Sequence, residues 1–254
     1  MEVDEMTPDA SQRRPNDVGA RSIDRQNGPL HGLVSVVRRV SRMLLPRHAL
    51  SEARRLRDLS PAARSHYLKN AFGRWRKRPE LPRFDTGSTF TVVFVCHGNI
   101  MRSAIAAELF RAKTRRLRGR AIVVRSAGTN AVSGSVADPR MCQAATALGL
   151  SLALHRATPI TESVAREADA VFVMDYLNEA ELLARVPVAR SKVHLLGAYD
   201  PSASGGVEIQ DPFMSDAAAA HQCAQRIDAC LDELVAALER GDAQPGEPAR
   251  AGRF

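Results

Sequence analysis

Long apolar runs are missing from this 254-residue chain. No stretch approaches the roughly 18 consecutive apolar residues of a membrane span, which excludes an integral helical membrane protein. Cysteine is scarce. Cys96, Cys142, Cys223 and Cys230 are too few for a disulfide scaffold, and none falls in a C-x-x-C pair, which argues against a structural zinc site. A secretory leader is not visible either. Met1, Glu2, Val3, Asp4 and Glu5 begin acidic and no hydrophobic core follows, so the expected location is the cytoplasm. What is present is ordinary for a globular protein, with 44% apolar and 25% charged residues.

Acidic side chains are sparse in the front third alone. Residues 1–90 hold 18 basic and 10 acidic side chains, which accounts for the whole net charge of +8; residues 91–254 hold 18 of each. The imbalance is strongest across residues 31–78, with 13 basic against 2 acidic. Two segments of such different charge suggest two units with different tasks.

The pattern along the chain divides it further. Residues 1–30 carry almost no apolar periodicity and read as a disordered tail. Residues 31–86 read as a basic helical extension with its linker. Leu33, Val36, Val37, Val40, Met43 and Leu44 recur at helical steps with Arg38, Arg39 and Arg42 between them, until Pro46 stops the helix. A short helical stretch is expected around Ser51–Leu59. Another helix should start at Ser60-Pro61, a cap followed by proline, and present Leu68, Ala71, Phe72 and Trp75. Pro79, Pro82 and Gly87 mark the linker.

From residue 87 to 241 strands and helices alternate. Expected strands are Thr91–Val95, Ala121–Arg125, Ala170–Met174 and Lys192–Leu196. Expected helices are Ser103–Leu117, Pro139–Leu150, Asn178–Arg185 and Ser215–Arg240. Short apolar strands separated by helices imply an α/β fold, a four-stranded parallel sheet with helices on both faces. Residues 242–254 read as a second disordered tail.

At the end of the first expected strand stands Cys96-His97-Gly98-Asn99-Ile100-Met101-Arg102-Ser103. A lone C-x5-R carries little information, but this one closes a strand and opens a helix, where open α/β sheets bind ligands. Such a turn aims backbone N–H groups at one point, and the helix dipole adds positive charge. Gly98 and Asn99 tolerate the left-handed backbone that a tight cradle needs. Arg102 can clamp two phosphate oxygens. The same donors would favour a thiolate at Cys96 and make it a nucleophile, with the Ser103 hydroxyl donating to it. Further on, Asp211-Pro212-Phe213 follows Gly205 and Gly206. Asp211 reads either as the acid for a leaving oxygen or as an ordinary turn before a helix.

Taken together, the residues from about Thr89 to Gly241 resemble the low-molecular-weight protein tyrosine phosphatase family, in its bacterial, exopolysaccharide-associated branch. The resemblance rests on Val-Cys-His-Gly-Asn-Ile-Met-Arg-Ser at 95–103, Ser-Ala-Gly-Thr at 126–129 and Ala-Asp-Pro-Arg at 137–140. It continues with His155, Val-Met-Asp at 173–175, Leu-Leu-Gly-Ala-Tyr-Asp-Pro at 195–201 and Asp-Pro-Phe at 211–213, all in family order.

The resemblance implies the flavodoxin-like phosphatase fold and a set of roles. Cys96 is the nucleophile forming a cysteinyl-phosphate. Arg102 binds the phosphoryl oxygens together with the loop residues His97, Gly98, Asn99, Ile100 and Met101. Ser103 assists the thiolate, and Asp211 protonates the leaving phenolate and then activates water. Asn99, Ser126 and His155 support the loop. No metal and no cofactor is implied; the implied substrate is a phosphotyrosine protein, and the implied opposing enzyme a bacterial tyrosine kinase. Three places depart from the common family pattern: Met101 stands where many members carry a second cysteine, Ala104 where many carry proline, and Val132 where many carry an aromatic wall.

Other readings stay open on the same sequence. Arsenate reductase shares the loop but passes electrons through further accessible cysteines, and Cys142, Cys223 and Cys230 fall on expected helices. Protein-arginine phosphatases carry threonine where Ile100 stands. A catalytically silent phosphate-binding module would have no use for the full catalytic set. The basic stretch of residues 31–78 could pack within the molecule, contact a membrane surface or membrane protein at the inner face, or bind nucleic acid; the last is the weakest, because no nucleic-acid fold is visible.

Overall fold

The computed structural model describes residues 56–57, 59–72, 89–115, 117, 121–202 and 206–240. The expected tails, the helix from Leu33, most of Ser51–Leu59 and the linker lie outside the described residues. All described residues belong to one compact unit, residues 45–254.

Strand β1 (Thr89–Cys96) is built from β-branched and aromatic residues with almost no polar alternation, the pattern of a strand covered on both sides. It pairs in parallel with β2 (Ala121–Gly128) on one side and β3 (Ala170–Val173) on the other, and β4 (Val193–Leu195) completes the order β2-β1-β3-β4. The parallel four-stranded α/β fold expected from sequence is therefore what forms. β1 is central, and the chain leaves it toward opposite edges of the sheet. The carboxyl end of β1 is thus a topological switch point, the place where such sheets open a crevice.

One face of the sheet buries Phe90, Val92, Phe94 and Cys96 of β1 with Ala170 and Phe172 of β3. Phe94 lies 5.4 Å from Phe110 and 5.6 Å from Phe172 between ring centroids. Fully burying such a ring contributes about 1.5–3 kcal/mol. Against this face pack α2 (Arg102–Thr114), α3 (Pro139–Ala147) and α6 (Ala217–Arg240). The α6 stripe of Ala220, Cys223, Ala224, Ile227, Cys230, Leu231 and Leu234 has helical spacing and is buried throughout. The opposite face buries Val93, Val95, Val171 and Val173 under α4 (Glu162–Glu167) and α5 (Tyr176–Arg185).

Two differences from the sequence expectation have clear causes. Helix α4 and three 3-10 turns went unread, because six residues or fewer hold too little periodicity. Helix α1 (Pro61–Phe72) begins where expected, with Ser60 Oγ accepting from Ala63 N at 3.2 Å. Its contacts differ. Leu59 and Ala63, with Tyr67 beside them, pack on Leu177 and Ala184 of α5, and Leu68 is 49% exposed. Ala63 and Tyr67 lie four apart and share a face; Leu68 falls on the other side. Part of the basic extension is therefore seated on the α/β unit. Among the described residues, no helix is long and apolar enough to cross a membrane.

Candidate active site

The loop between β1 and α2 is shaped by one backbone exception. Asn99 has φ +53, the only non-glycine residue with positive φ among the described residues, as expected for a residue that tolerates the left-handed region. Gly98 does not share it. Its φ is not positive, and an added Cβ would meet only the Ile100 side chain, at 3.5 Å. The glycine that the loop requires is elsewhere. At Gly128, the last residue of β2, a Cβ would come 2.7 Å from His97 O and 2.9 Å from Asn99 N. These are backbone atoms that cannot yield, so only glycine lets β2 approach the cradle.

Asn99 then fastens the loop through both ends of its amide. Its Nδ2 donates to Ser103 Oγ at 2.8 Å, and its Oδ1 accepts from Thr158 N at 2.8 Å. The His155 ring reaches the Asn99 carbonyl through Nε2 at 2.6 Å. Segment 155–160 is in turn strapped to Gly128, with Gly128 N donating to Thr158 O and Ile160 N to Gly128 O, both at 2.9 Å. Ser126 lies in β2 opposite Phe94, and no hydrogen bond joins it to Asn99 or His155. The expected support triad is therefore assembled from Asn99, His155 and the Thr158 amide.

Cys96 is 4% exposed at the carboxyl end of β1. Its Sγ lies 3.0 Å from Ser103 Oγ and accepts from Asn99 N at 3.3 Å. The Asn99 amide and the Ser103 hydroxyl thus both meet the sulfur. Met101 precedes α2 without giving it a side-chain cap, so the first amides of that helix keep their donors for another acceptor. Ile100 and Met101 turn apolar side chains to the core. His97 points the other way, its Nδ1 3.0 Å from Glu181 of α5.

Arg102 is 1% exposed and lies among carboxylates. Its Nη1 donates to Asp175 Oδ2 at 2.6 Å and to Ile209 O at 2.9 Å, and its Nη2 donates to Asp211. Burial opposes the guanidinium charge, but Asp211, Asp175 and Cys96 together outweigh it and hold the pKa above its ordinary value. Asp211 accepts from Phe213 N at 3.1 Å through its other oxygen, closing the 3-10 turn Pro212–Met214. The turn reading of Asp-Pro is met, since the residue caps a 3-10 turn, and its carboxyl also faces the loop arginine.

Asp175 is the functional residue that residue-by-residue reading left without a role. It follows β3, accepts from Asn178 N at 2.6 Å as the cap of α5, and anchors Arg102 with its second oxygen. Its position next to the end of the strand beside β1 was the available signal. Among the described residues, no group of three or more His, Cys, Asp or Glu side chains could hold a metal ion. A buried thiol met by a backbone amide and a hydroxyl, with a charged guanidinium and a carboxyl beside it, suits nucleophilic attack on an oxyanion ester.

Comparison with known proteins agrees with this chemistry. A family model described as low molecular weight phosphotyrosine protein phosphatase matches residues 91–244. A probable low molecular weight protein-tyrosine-phosphatase, EpsP, of Ralstonia nicotianae is 32% identical over 145 residues, 57% of this chain and 93% of that protein. Low molecular weight protein-tyrosine phosphatase A of Mycobacterium bovis is 39% identical over 129 residues, 49% of this chain and 77% of that protein. Among solved structures, the tyrosine phosphatase AmsI of Erwinia amylovora superposes with a TM-score of 0.54 at 28% identity, covering 63% of this chain and all (100%) of that one. The arginine phosphatase YwlE of Geobacillus stearothermophilus gives 0.53 at 27% identity, covering 59% and 94%.

Proposed function

The chain belongs to the low molecular weight phosphotyrosine protein phosphatase family, and from that membership we propose that it hydrolyses protein phosphotyrosine through a phosphate ester of Cys96. The observation that carries the reading is that Asp211, 109 residues beyond Arg102, reaches the loop that holds both Cys96 and Arg102.

In the first step the Cys96 sulfur attacks phosphorus as the bond to the tyrosine oxygen breaks. Asp211 gives its proton to the departing phenolate, and a sulfur–phosphorus bond remains. Arg102 and the first amides of α2 bind the equatorial oxygens. In the second step water attacks phosphorus, Asp211 takes the water proton, the sulfur–phosphorus bond breaks, and inorganic phosphate leaves with the thiolate restored. Ser103 and the Asn99 amide hold the sulfur in line, while Asn99, His155 and the Thr158 amide keep the cradle in shape. His97, Gly98, Ile100 and Met101 supply the remainder of the loop.

The test is turnover of phosphotyrosine, phosphoarginine and phosphoserine peptides. Phosphotyrosine should be the preferred substrate, and Cys96→Ser should abolish turnover yet still bind inorganic phosphate. Preference for phosphoarginine would overturn the substrate reading and leave the chemistry standing. The basic residues 31–78 extend the reading to an anionic membrane surface and thereby to substrates held there. The full chain should co-sediment with anionic vesicles, less so as salt rises, and a chain starting near Thr86 should not. Equal sedimentation of the two would remove the membrane role.

A further inference from the structure

The acid, Asp211, and Arg102 of the phosphate loop lie 109 residues apart in sequence, yet they must meet within a fraction of an ångström. Besides Arg102, a second arginine spans them. Arg140, in the first turn of α3, is held from below by Asp138. Asp138 Oδ1 accepts from Arg140 Nε at 2.9 Å and from Arg140 N at 2.9 Å, and Oδ2 accepts from Nη2 at 2.7 Å. This is a bidentate pairing that fixes the plane of the guanidinium. Asp138 is itself tied to the catalytic loop, because its backbone N–H donates to Ile100 O at 2.9 Å.

The remaining nitrogen faces the acid segment. Arg140 Nη1 donates to Phe213 O at 3.1 Å and to Ser215 O at 2.5 Å, and the guanidinium carbon lies 5.9 Å from the centroid of the Phe213 ring. Phe213 N is the donor to Asp211 Oδ1 at 3.1 Å. A continuous path therefore runs from Ile100 through Asp138, Arg140 and Phe213 to the carboxyl of Asp211. The hydrogen bond from Arg140 also holds the Asp138 carboxyl below the usual carboxylate range, so both partners stay charged at neutral pH.

We infer that Arg140 is a positioning residue for the acid: clamped by Asp138 and bound to the Phe213 and Ser215 carbonyls, it sets the distance between Asp211 and the phosphate loop. The inference rests on the reading of Asp211 as the proton donor. Arg102 holds the Asp211 side chain but leaves the backbone of residues 213–215 untouched; Arg140 holds that backbone. A lysine cannot replace it, since a single ammonium cannot pair with both Asp138 oxygens and reach two carbonyls.

The experiment compares kcat/KM, which reports phosphoryl transfer to Cys96, on phosphotyrosine and on nitrophenyl phosphate, whose leaving group needs no proton. The variants are Arg140→Ala, Arg140→Lys, Asp211→Asn and Arg140→Ala with Asp211→Asn. Inorganic phosphate, as a competitive inhibitor, reports whether the cradle remains intact. Arg140→Ala and Arg140→Lys should lose about tenfold or more on phosphotyrosine and no more than about twofold on nitrophenyl phosphate, in line with the cost of small misplacements. Phosphate inhibition should be unchanged. In the Asp211→Asn background, Arg140→Ala should cost nothing further on phosphotyrosine. If Asp211→Asn is selective for the poor leaving group and Arg140→Ala is not, or if the two losses multiply, the positioning role is wrong and the acid assignment stands. If Asp211→Asn itself slows both substrates equally, the acid assignment falls and this inference with it.

Discussion

Replacing Asp175 separates two jobs that one carboxylate performs. Asp175→Asn keeps an amide oxygen that can still cap α5 at Asn178 N, but it removes the charge facing Arg102. A hydrogen bond to a charged group contributes about 1.5–3 kcal/mol. The loss stays below the about 3–5 kcal/mol of a fully orphaned buried charge, because Arg102 keeps Asp211 and the Ile209 carbonyl. We therefore expect Asp175→Asn to cost about 2 kcal/mol, which for a chain of this size lowers the melting temperature by about 4–8 °C. Asp175→Ala loses the cap as well, about 1 kcal/mol more. Activity should fall alongside stability. With one anchor gone the Arg102 fork is no longer fixed in plane, and kcat/KM on phosphotyrosine should drop by about ten- to a hundredfold. Thermal melts followed by circular dichroism, with initial rates on the same samples, measure both. An Asp175→Asn protein melting within about 1 °C of the parent, with unchanged kcat/KM, would refute the claim that this carboxylate orients the arginine.

Further expectations concern the cradle, its oxidation and its acid limit. Gly128→Ala should abolish phosphate binding while leaving most of the fold, because its Cβ would strike His97 O and Asn99 N; inhibition by phosphate at the parental concentration would refute this. Peroxide should inactivate Cys96 irreversibly. Met101 cannot form a disulfide, and Cys223, electrostatically coupled to Cys96, has its thiol pushed up to about 12 chiefly by burial, so almost none of it is the attacking thiolate at neutral pH. A Cys96 disulfide found by mass spectrometry, with recovery by dithiothreitol, would overturn that expectation. The carboxyl of Asp138 is lowered by the Arg140 hydrogen bond. At Asp200 burial opposes ionisation, but Ser202 and Arg226 outweigh it and lower the value. A lowered folded value means that the stabilisation is fully present above the unfolded carboxylate pKa of about 3.9 and is lost as pH falls through the still lower folded values. Melting temperatures between pH 6 and about pH 2.5 should therefore fall less steeply in Asp138→Asn and Asp200→Asn, and parallel curves would contradict the assignment.

What could be read from sequence followed how local its cause was. β1 and α6 were legible because a β-branched run and a three-and-four spacing are properties of neighbouring residues. The loop from Cys96 to Ser103 was legible for the same reason, and Asn99 took the left-handed backbone allowed to it. Gly98 did not, since a glycine permits positive φ without requiring it. The contacts that complete the site are not local. The Thr158 amide reaches Asn99 and the Ile209 carbonyl reaches Arg102 only after the sheet has formed, and backbone groups carry no signature in the side-chain string. Ser126 lies in β2 opposite Phe94, without a hydrogen bond to Asn99 or His155. On α1 the buried face is selected by Leu177 and Ala184 of a distant helix, so Ala63 wins over the larger Leu68.

The sheet order has a temporal consequence. In β2-β1-β3-β4 the strand that carries Cys96 is made first and finds each neighbour only across a long crossover. Contacts of such sequence separation form late and slowly. During synthesis, therefore, Cys96 and Arg102 emerge well before Asp175, and both before Asp211. A half-made chain has a thiol loop not yet fastened by the Thr158 amide and a guanidinium without its carboxylates. Catalytic competence arrives only when the last strands and α6 have docked, so a growing or misfolded chain cannot strip phosphate from the proteins around it.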